Sequence, residues 1–134
     1  MKAILLVALG GSLGAISRWL LAGWIDRASG VGKTVAFPWG IFAANVIGCL
    51  IIGILYGVAE ARGMFSEMTR LLVFTGFLGS FTTFSTFGWN TFELFKSGQP
   101  GTAFANVLAS VIAGLLAVWI GYSAAARLSF GTES

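Results

Sequence analysis

The chain has 134 residues, of which 57% are hydrophobic and only 10% are charged. A soluble domain carries about 25% charged residues. This chain has too few to cover a water-facing surface, so its composition excludes a soluble domain and indicates a membrane protein. The net charge of +3 comes from scattered residues, which argues against nucleic-acid binding. Histidine is missing and Cys49 is the single cysteine, so an intrachain disulfide and a Cys/His metal cluster are excluded.

Four apolar segments follow one another along the chain. They cover Ala3–Ile25, Phe37–Ala59, Leu71–Phe95 and Thr102–Ala126. Each meets the length of about 20 residues that a helix needs to cross a hydrocarbon core of about 30 Å. The linkers are too short to hold a soluble domain. The sequence therefore predicts an all-α membrane protein, with residues 1–134 forming a single transmembrane domain of four helices.

Lysine and arginine residues are evenly divided between the two sides of such a bundle. Four spans place both termini on one side, together with the second loop. That side holds Lys2, Arg62, Arg70 and Arg127, and the other holds Arg27, Lys33 and Lys96, with Arg18 near that end of the first span. Orientation normally follows an excess of positive charge in the cytoplasmic loops. Without that excess, we expect copies to insert both ways and to pair as an antiparallel dimer.

Small residues recur at helical spacing in three of the spans. They are Gly10 and Gly14, Gly53 and Gly57, and the stripe of Gly101, Ala105, Ala109, Ala113 and Ala117. Small side chains let the backbones of membrane helices approach closely. The pattern predicts close helix contacts, either within one copy or between copies.

Charged side chains are scarce inside the spans. Arg18 lies about 10 Å from the end of its span, where it can either snorkel to the headgroups or draw anions into a vestibule. No Asp, Glu, Lys or His lies deep in a span. A proton-coupled exporter would therefore lack a proton carrier, and an enzyme would lack a general base, a nucleophile or a metal site.

The remaining polar groups inside the second and fourth spans are neutral. Asn45 lies in the second span, and Asn106 and Ser110 lie one turn apart in the fourth. Such groups either tie two helices together or line a pathway for a ligand. Both interpretations are open at this point.

The third span reads "GFLGSFTTFSTFGWN" over residues 76–90. Five of the seven residues from Ser80 to Thr86 carry hydroxyl groups, and glycines lie on either side, which disfavours a regular helix. Broken helices at membrane depth line cavities and place freed carbonyls and helix ends at ion sites. We therefore predict a third helix broken near its middle, whose carbonyls suit a cation and whose hydroxyls and amide protons suit an anion.

Three phenylalanines, Phe81, Phe84 and Phe87, share one stripe of this span. The stripe either packs against neighbouring helices or turns its ring edges, which are positively polarised, toward a pathway. Ring edges and hydroxyls together favour a small anion without trapping it in a deep charged well.

Three segments resemble the Fluc (CrcB) family of fluoride ion channels. They are "GGSLGAISRW", "WGIFAANVIGCLIIG" and "GFLGSFTTFSTF", in the first, second and third spans. The resemblance covers nearly the whole chain. It implies an antiparallel dual-topology homodimer in the bacterial inner membrane, with two pores that passively export fluoride and a structural Na⁺ at the dimer centre.

The same resemblance implies roles for individual residues of the fluoride pathway. Asn45 matches the pore-lining amide, and Phe84 and Phe87 match the pair whose ring edges contact fluoride. Ser110 matches a polar position near the fluoride track, and Arg18 matches the basic residue near the aqueous end of the pore.

Thr83, from the hydroxyl cluster, and Asn106, from the polar groups of the fourth span, complete the predicted fluoride pathway. The resemblance also implies that Gly79 and Thr82 fall where backbone carbonyls would hold Na⁺. The chain departs from the family at two places. Asn90 stands where the family often has Glu, and Asn106 stands where it often has Tyr. An asparagine at either position can still hydrogen-bond an anion.

Two other functions are compatible with four short spans. A small dual-topology multidrug exporter shares the span count and the balanced charge, but it needs a membrane carboxylate for proton exchange, and the first span has none. A non-conducting membrane scaffold would use the hydroxyls of the third span for packing alone.

Overall fold

The structure, a computed structural model, describes residues 1–30, 36–62 and 65–130. These residues form helices and no strand, namely α1 (Lys2–Ala28), α2 (Trp39–Arg62), α3 (residues 67–81), α4 (Phe84–Lys96) and α5 (Pro100–Phe130). Four helical segments are long and apolar enough to cross a membrane, and α3 and α4 together make the third. The all-α prediction with four spans is confirmed. Lys33, counted above among the loop charges, lies outside the described residues.

The third span is built from unequal pieces. Helix α3 consists of α-helical Glu67–Thr69, π-helical Arg70–Leu78 and α-helical Gly79–Phe81. Two non-helical residues separate it from α4. π-Helical turns are rare in proteins, and those that occur are often found at functional sites. The predicted break near the middle of the third helix is confirmed.

Side chains and turn residues set several helix ends. The carboxylate of Asp26 accepts the N–H of Gly40 at 2.8 Å, at the start of α2. Gly98, with a φ of 76°, allows the tight turn that follows α4. Pro100 then occupies the first position of α5, where its missing N–H has no helical partner to lose.

Helices α2 and α5 make the most extensive pairing of the bundle. Glycines permit it, because a Cβ at Gly53 would overlap the carbonyl of Val118 and one at Gly121 would overlap that of Leu50. Backbones in such close contact gain van der Waals packing, which drives helix association in lipid. In the predicted small-residue stripe, Ala117 is buried and Gly101 is exposed.

Helix α1 packs mainly on α3. A Cβ at Gly10 would overlap the carbonyl of Leu72, and one at Gly14 would overlap that of Phe77. The two glycines of the first span therefore hold α1 against the π-helical part of the third span.

Many large apolar side chains face outward, and several of the buried residues are small. Exposed residues include Trp19, Trp24 and Trp119, whereas Ala44 and Ala103 are completely buried. This distribution suits a lipid environment, in which large apolar groups need no burial and close helix packing needs small ones.

Candidate functional site

The break in the third span, at Thr82 and Thr83, is the centre of the candidate site. Both residues have extended backbones, with φ and ψ of −87° and 155° at Thr82 and −151° and 119° at Thr83. Thr83 caps α4, because its Oγ1 accepts the N–H of Thr86 at 3.3 Å. Hydroxyl side chains favour helix caps over helix interiors. The hydroxyl cluster therefore forms the break itself.

Asn45 of α2 holds the break through a pair of hydrogen bonds. Its Oδ1 accepts the N–H of Thr83 at 2.8 Å, and its Nδ2 donates to the Thr83 carbonyl at 3.2 Å. One side-chain amide thus satisfies both backbone groups of a non-helical residue. Backbone groups in hydrocarbon need a partner inside the protein, so this clamp permits the extended conformation at membrane depth.

Two carbonyl groups at the break lose their usual helical donors. In an α-helix the N–H of residue i+4 donates to the carbonyl of residue i. The N–H of Thr83 donates to Asn45 rather than to the carbonyl of Gly79, and the N–H of Thr86 donates to Thr83 Oγ1 rather than to the carbonyl of Thr82. Gly79 and Thr82 are the two residues whose carbonyls were predicted to hold Na⁺.

A groove of about 410 Å³ opens beside the break. It brings together seven of the nine predicted site residues, namely Asn45, Gly79, Thr82, Thr83, Phe84, Phe87 and Ser110. None of its thirteen lining residues is charged. A small ion in the groove would therefore meet hydroxyls, an amide, freed carbonyls and aromatic rings rather than a fixed charge.

Phe84 and Phe87 lie in the first turn of α4. Their ring centroids are 5.6 Å apart and their planes are inclined by 43°. Phe84 is 84% exposed in the single copy, and Phe87 is half-buried. Phe81, by contrast, is buried and stacks on Phe77. The phenylalanine stripe thus divides into one packing ring and two rings that line the groove.

Ser110 and Asn106 have different surroundings although they lie one turn apart in α5. Ser110 lines the groove, whereas Asn106 is 1% exposed and is not one of the lining residues. Asn106 Nδ2 donates to Thr91 Oγ1 at 2.8 Å, and Ser110 Oγ donates to Asn106 Oδ1 at 3.5 Å. Direct contact between Asn106 and an anion stays a prediction.

Arg18 is the second predicted site residue outside the groove. It is half-buried on α1 and does not line the groove. Its position near an aqueous end of the pathway stays a prediction.

Two residues of the site were not predicted. Gly48, one turn after Asn45 in α2, makes room for the break, because a Cβ there would overlap Thr82 Cγ2. Thr91 of α4 is buried and joins Asn106 to the carbonyl of Phe87, to which its hydroxyl donates at 2.8 Å. The signal for Gly48 is its spacing from Asn45, and that for Thr91 is a hydroxyl one turn after Phe87.

Comparisons with known proteins cover this whole site. The model of the family described as "CrcB-like protein, Camphor Resistance (CrcB)" matches residues 5–122. The protein named "Fluoride-specific ion channel FluC" from Methylobacillus flagellatus is 43% identical over 122 residues, which are 91% of this chain and 93% of that protein. Its namesake from Geobacter sulfurreducens is 44% identical over 128 residues, which are 96% of this chain and 100% of that protein.

Proposed function

The chain belongs to the CrcB-like protein, Camphor Resistance (CrcB) family, and from this premise we propose that it is a fluoride-selective ion channel. It passively exports cytoplasmic fluoride and so relieves fluoride toxicity. The observation that carries the proposal is the gathering of seven predicted site residues around one uncharged groove. The name of the similar proteins, fluoride-specific ion channel, supports fluoride as the anion.

Permeation requires the groove to replace the water that surrounds fluoride. The second N–H of the Asn45 amide and the hydroxyls of Thr83 and Ser110 can donate hydrogen bonds to the ion. The ring edges of Phe84 and Phe87 offer weak positive polarisation and exclude bulk water. Because no fixed charge lines the groove, the ion is held weakly enough to leave again.

Arg18 contributes to the proposed pathway from a distance. A half-buried cation on α1 raises the local concentration of anions near the bundle without binding them inside the groove. Its effect on flux should therefore weaken as the ionic strength rises.

The proposed assembly is an antiparallel dual-topology homodimer with two pores. The even division of Lys and Arg between the two sides supports it, since neither orientation is favoured. The exposure of Phe84 supports it as well, because a ring that is 84% exposed in one copy can be covered by a second copy. Labelling an engineered end-tag from both sides of the membrane tests the assembly, and a single fixed orientation would refute it.

The proposed structural cofactor is Na⁺ at the dimer centre, held by the carbonyls of Gly79 and Thr82. The residues fit a small hard cation, because the N–H groups that would normally bond these carbonyls donate to Asn45 Oδ1 and Thr83 Oγ1 instead. Bound there, the ion would supply fixed positive charge that stabilises the open carbonyls. The Asn45 clamp keeps the Gly79 carbonyl free of its helical donor, and the Thr83 cap does the same for the Thr82 carbonyl.

The remaining parts of the proposal concern location and class. The four spans support a multi-pass protein of a bacterial membrane, which we place in the inner membrane with lipid as its surroundings. The similar proteins are named as ion channels rather than as enzymes. We accordingly propose transport without catalysis and no nucleic-acid partner.

Efflux from proteoliposomes tests the function. Vesicles loaded with potassium fluoride or potassium chloride receive valinomycin, so that anion efflux is no longer limited by charge build-up. We expect fast fluoride release, chloride release no faster than from protein-free vesicles, and no dependence on a proton gradient. Flux that requires a proton gradient would favour an exporter, and vesicles that release neither anion would favour a scaffold.

A further inference from the structure

Three hydrogen bonds connect two residues that line the groove through two buried residues that do not. Thr91 Oγ1 donates to the carbonyl of Phe87 at 2.8 Å, Asn106 Nδ2 donates to Thr91 Oγ1 at 2.8 Å, and Ser110 Oγ donates to Asn106 Oδ1 at 3.5 Å. Phe87 and Ser110, at the two ends, line the groove. Thr91 and Asn106, in the middle, are 9% and 1% exposed and do not line it.

The available protons set the direction of these bonds. Thr91 has a single hydroxyl proton, which it donates to the Phe87 carbonyl, so toward Asn106 its oxygen can only accept. Asn106 must then turn its Nδ2 to Thr91 and its acceptor, Oδ1, to Ser110. The reversed amide would place two buried acceptors against each other, which is unfavourable.

The two ends of the connection differ in strength. The bonds made by Thr91 have the length of well-formed hydrogen bonds, whereas the bond from Ser110 to Asn106, at 3.5 Å, is longer than that range and therefore weak. Ser110 is also the only donor of the three that lines the groove. Its hydroxyl proton is therefore loosely held and is free to turn toward an ion.

We infer that Thr91 is a positioning residue of the anion pathway, and that it acts through Asn106 on Ser110. By fixing Asn106 Oδ1 toward Ser110, Thr91 gives the Ser110 hydroxyl a weak resting partner. The hydroxyl turns to an anion as it arrives and returns to Asn106 as the anion leaves. This exchange provides the balance of capture and release that conduction needs. The inference rests on the proposed fluoride channel.

Paired substitutions of Thr91 provide the first test. Thr91→Val keeps the shape of the side chain but removes the hydroxyl, so Asn106 is no longer held in one orientation. We expect fluoride efflux per folded channel to fall about tenfold, the equivalent of one lost hydrogen bond. Thr91→Ser retains the hydroxyl and should remain within about twofold of the unmutated protein. Equal fluxes for all three proteins would overturn the inference.

A double-mutant cycle separates positioning from a purely structural tie between α4 and α5. If Thr91 acts through Ser110, then Thr91→Val should lower flux little further in a Ser110→Ala background. A structural tie would instead give losses that multiply, and multiplied losses would overturn the inference. Thermal unfolding and size-exclusion profiles in detergent identify the folded variants.

Two further controls keep the test decisive. If Thr91→Val does not fold, Thr91→Cys replaces it, since a thiol is a weak donor and acceptor. It should give a flux between those of Thr91→Ser and Thr91→Val, and this loss should disappear in the Ser110→Ala background. The unmutated protein separates the two proposals. If the unmutated protein does not conduct fluoride, the proposed function is refuted. If the unmutated protein and Thr91→Val both conduct fluoride normally, only the positioning role of Thr91 is refuted.

Discussion

The α2–α5 pair and the broken third span meet the same requirement in opposite ways. Backbone polar groups in hydrocarbon must all find partners inside the protein. Helices α2 and α5 are continuous, satisfy their own backbones and approach closely at Gly53 and Gly121. The third span opens its backbone at Thr82 and Thr83 and depends on Asn45, a side chain of another helix, to satisfy Thr83.

The difference indicates a division between scaffold and site. The α2–α5 pair uses its glycines for packing and, at other positions, supplies Asn45 and Ser110 to the groove. The break supplies the freed carbonyls, and the first turn of α4 beside it supplies the two rings that line the groove. Residues on a rigid pair can hold a pathway more accurately than residues on loops. Substitutions in the two regions should therefore affect different properties.

Asn45→Asp should have the largest effect because it damages the break and the groove together. A carboxylate can still accept the N–H of Thr83 but cannot donate to its carbonyl. It also places a negative charge among uncharged lining residues, and two like charges 4 Å apart repel by about 4 kcal/mol at an effective dielectric constant of about 20. We expect fluoride efflux from proteoliposomes to fall at least about 100-fold.

Asn45→Ala is the matched variant, because it removes the clamp without adding a charge. Its loss of flux should be smaller than that of Asn45→Asp. Full activity of Asn45→Asp with an ionised carboxylate would contradict the assignment of the groove as the pathway.

Replacement of the two groove rings should have the next largest effect. Phe84→Ile and Phe87→Ile keep an apolar side chain but remove the polarised ring edge, so each should lower fluoride efflux about tenfold or more. Phe92→Ile is the control, since Phe92 lies in the same helix, forms a similarly tilted pair with Trp89 and does not line the groove. Its flux should not change. Normal flux in both groove variants would refute the role of the ring edges.

The sequence predicts the spans and the break because both depend on local composition. Apolar length identifies the helices, and hydroxyls beside glycines mark the place where a helix is unfavourable. The sequence does not predict the hydrogen bonds between Asn45 and Thr83. These two residues are 38 positions apart, and their bonds depend on how α2 lies against the third span. For the same reason the sequence does not distinguish Thr91 from other hydroxyl residues of the spans, because its bond to Asn106 depends on how α5 packs against α4.

A pair of glycine substitutions tests the division between scaffold and site directly. In Gly48→Ala the new methyl would overlap Thr82 Cγ2, a side-chain atom of the break rather than a backbone atom of α5, so the break shifts and flux falls severalfold with little loss of stability. In Gly53→Ala the methyl would overlap the backbone carbonyl of Val118, which cannot move without separating α2 from α5. We expect that variant to lose about 2 kcal/mol of stability and to retain its flux per folded channel.

Thermal unfolding in detergent measures the stability of each variant, and single-vesicle efflux measures its flux per folded channel. The reverse pattern, with Gly48→Ala unstable but active and Gly53→Ala stable but inactive, would show that the site lies in the α2–α5 contact rather than at the break.

The smallest expected effect comes from two hydroxyl helix caps, one that lines the groove and one that does not. Thr83 Oγ1 accepts the N–H of Thr86 at the break, and Ser66 Oγ accepts the N–H of Thr69 at the start of α3, each at a distance between 3.2 and 3.3 Å. Thr83→Val and Ser66→Ala should each cost about 1 kcal/mol of stability. Only Thr83→Val should also lower fluoride efflux, by about two- to fivefold, because its hydroxyl lines the groove. Equal fluxes in the two variants would mean that the Thr83 hydroxyl serves the helix alone and that the donors for the anion lie on Asn45 and Ser110.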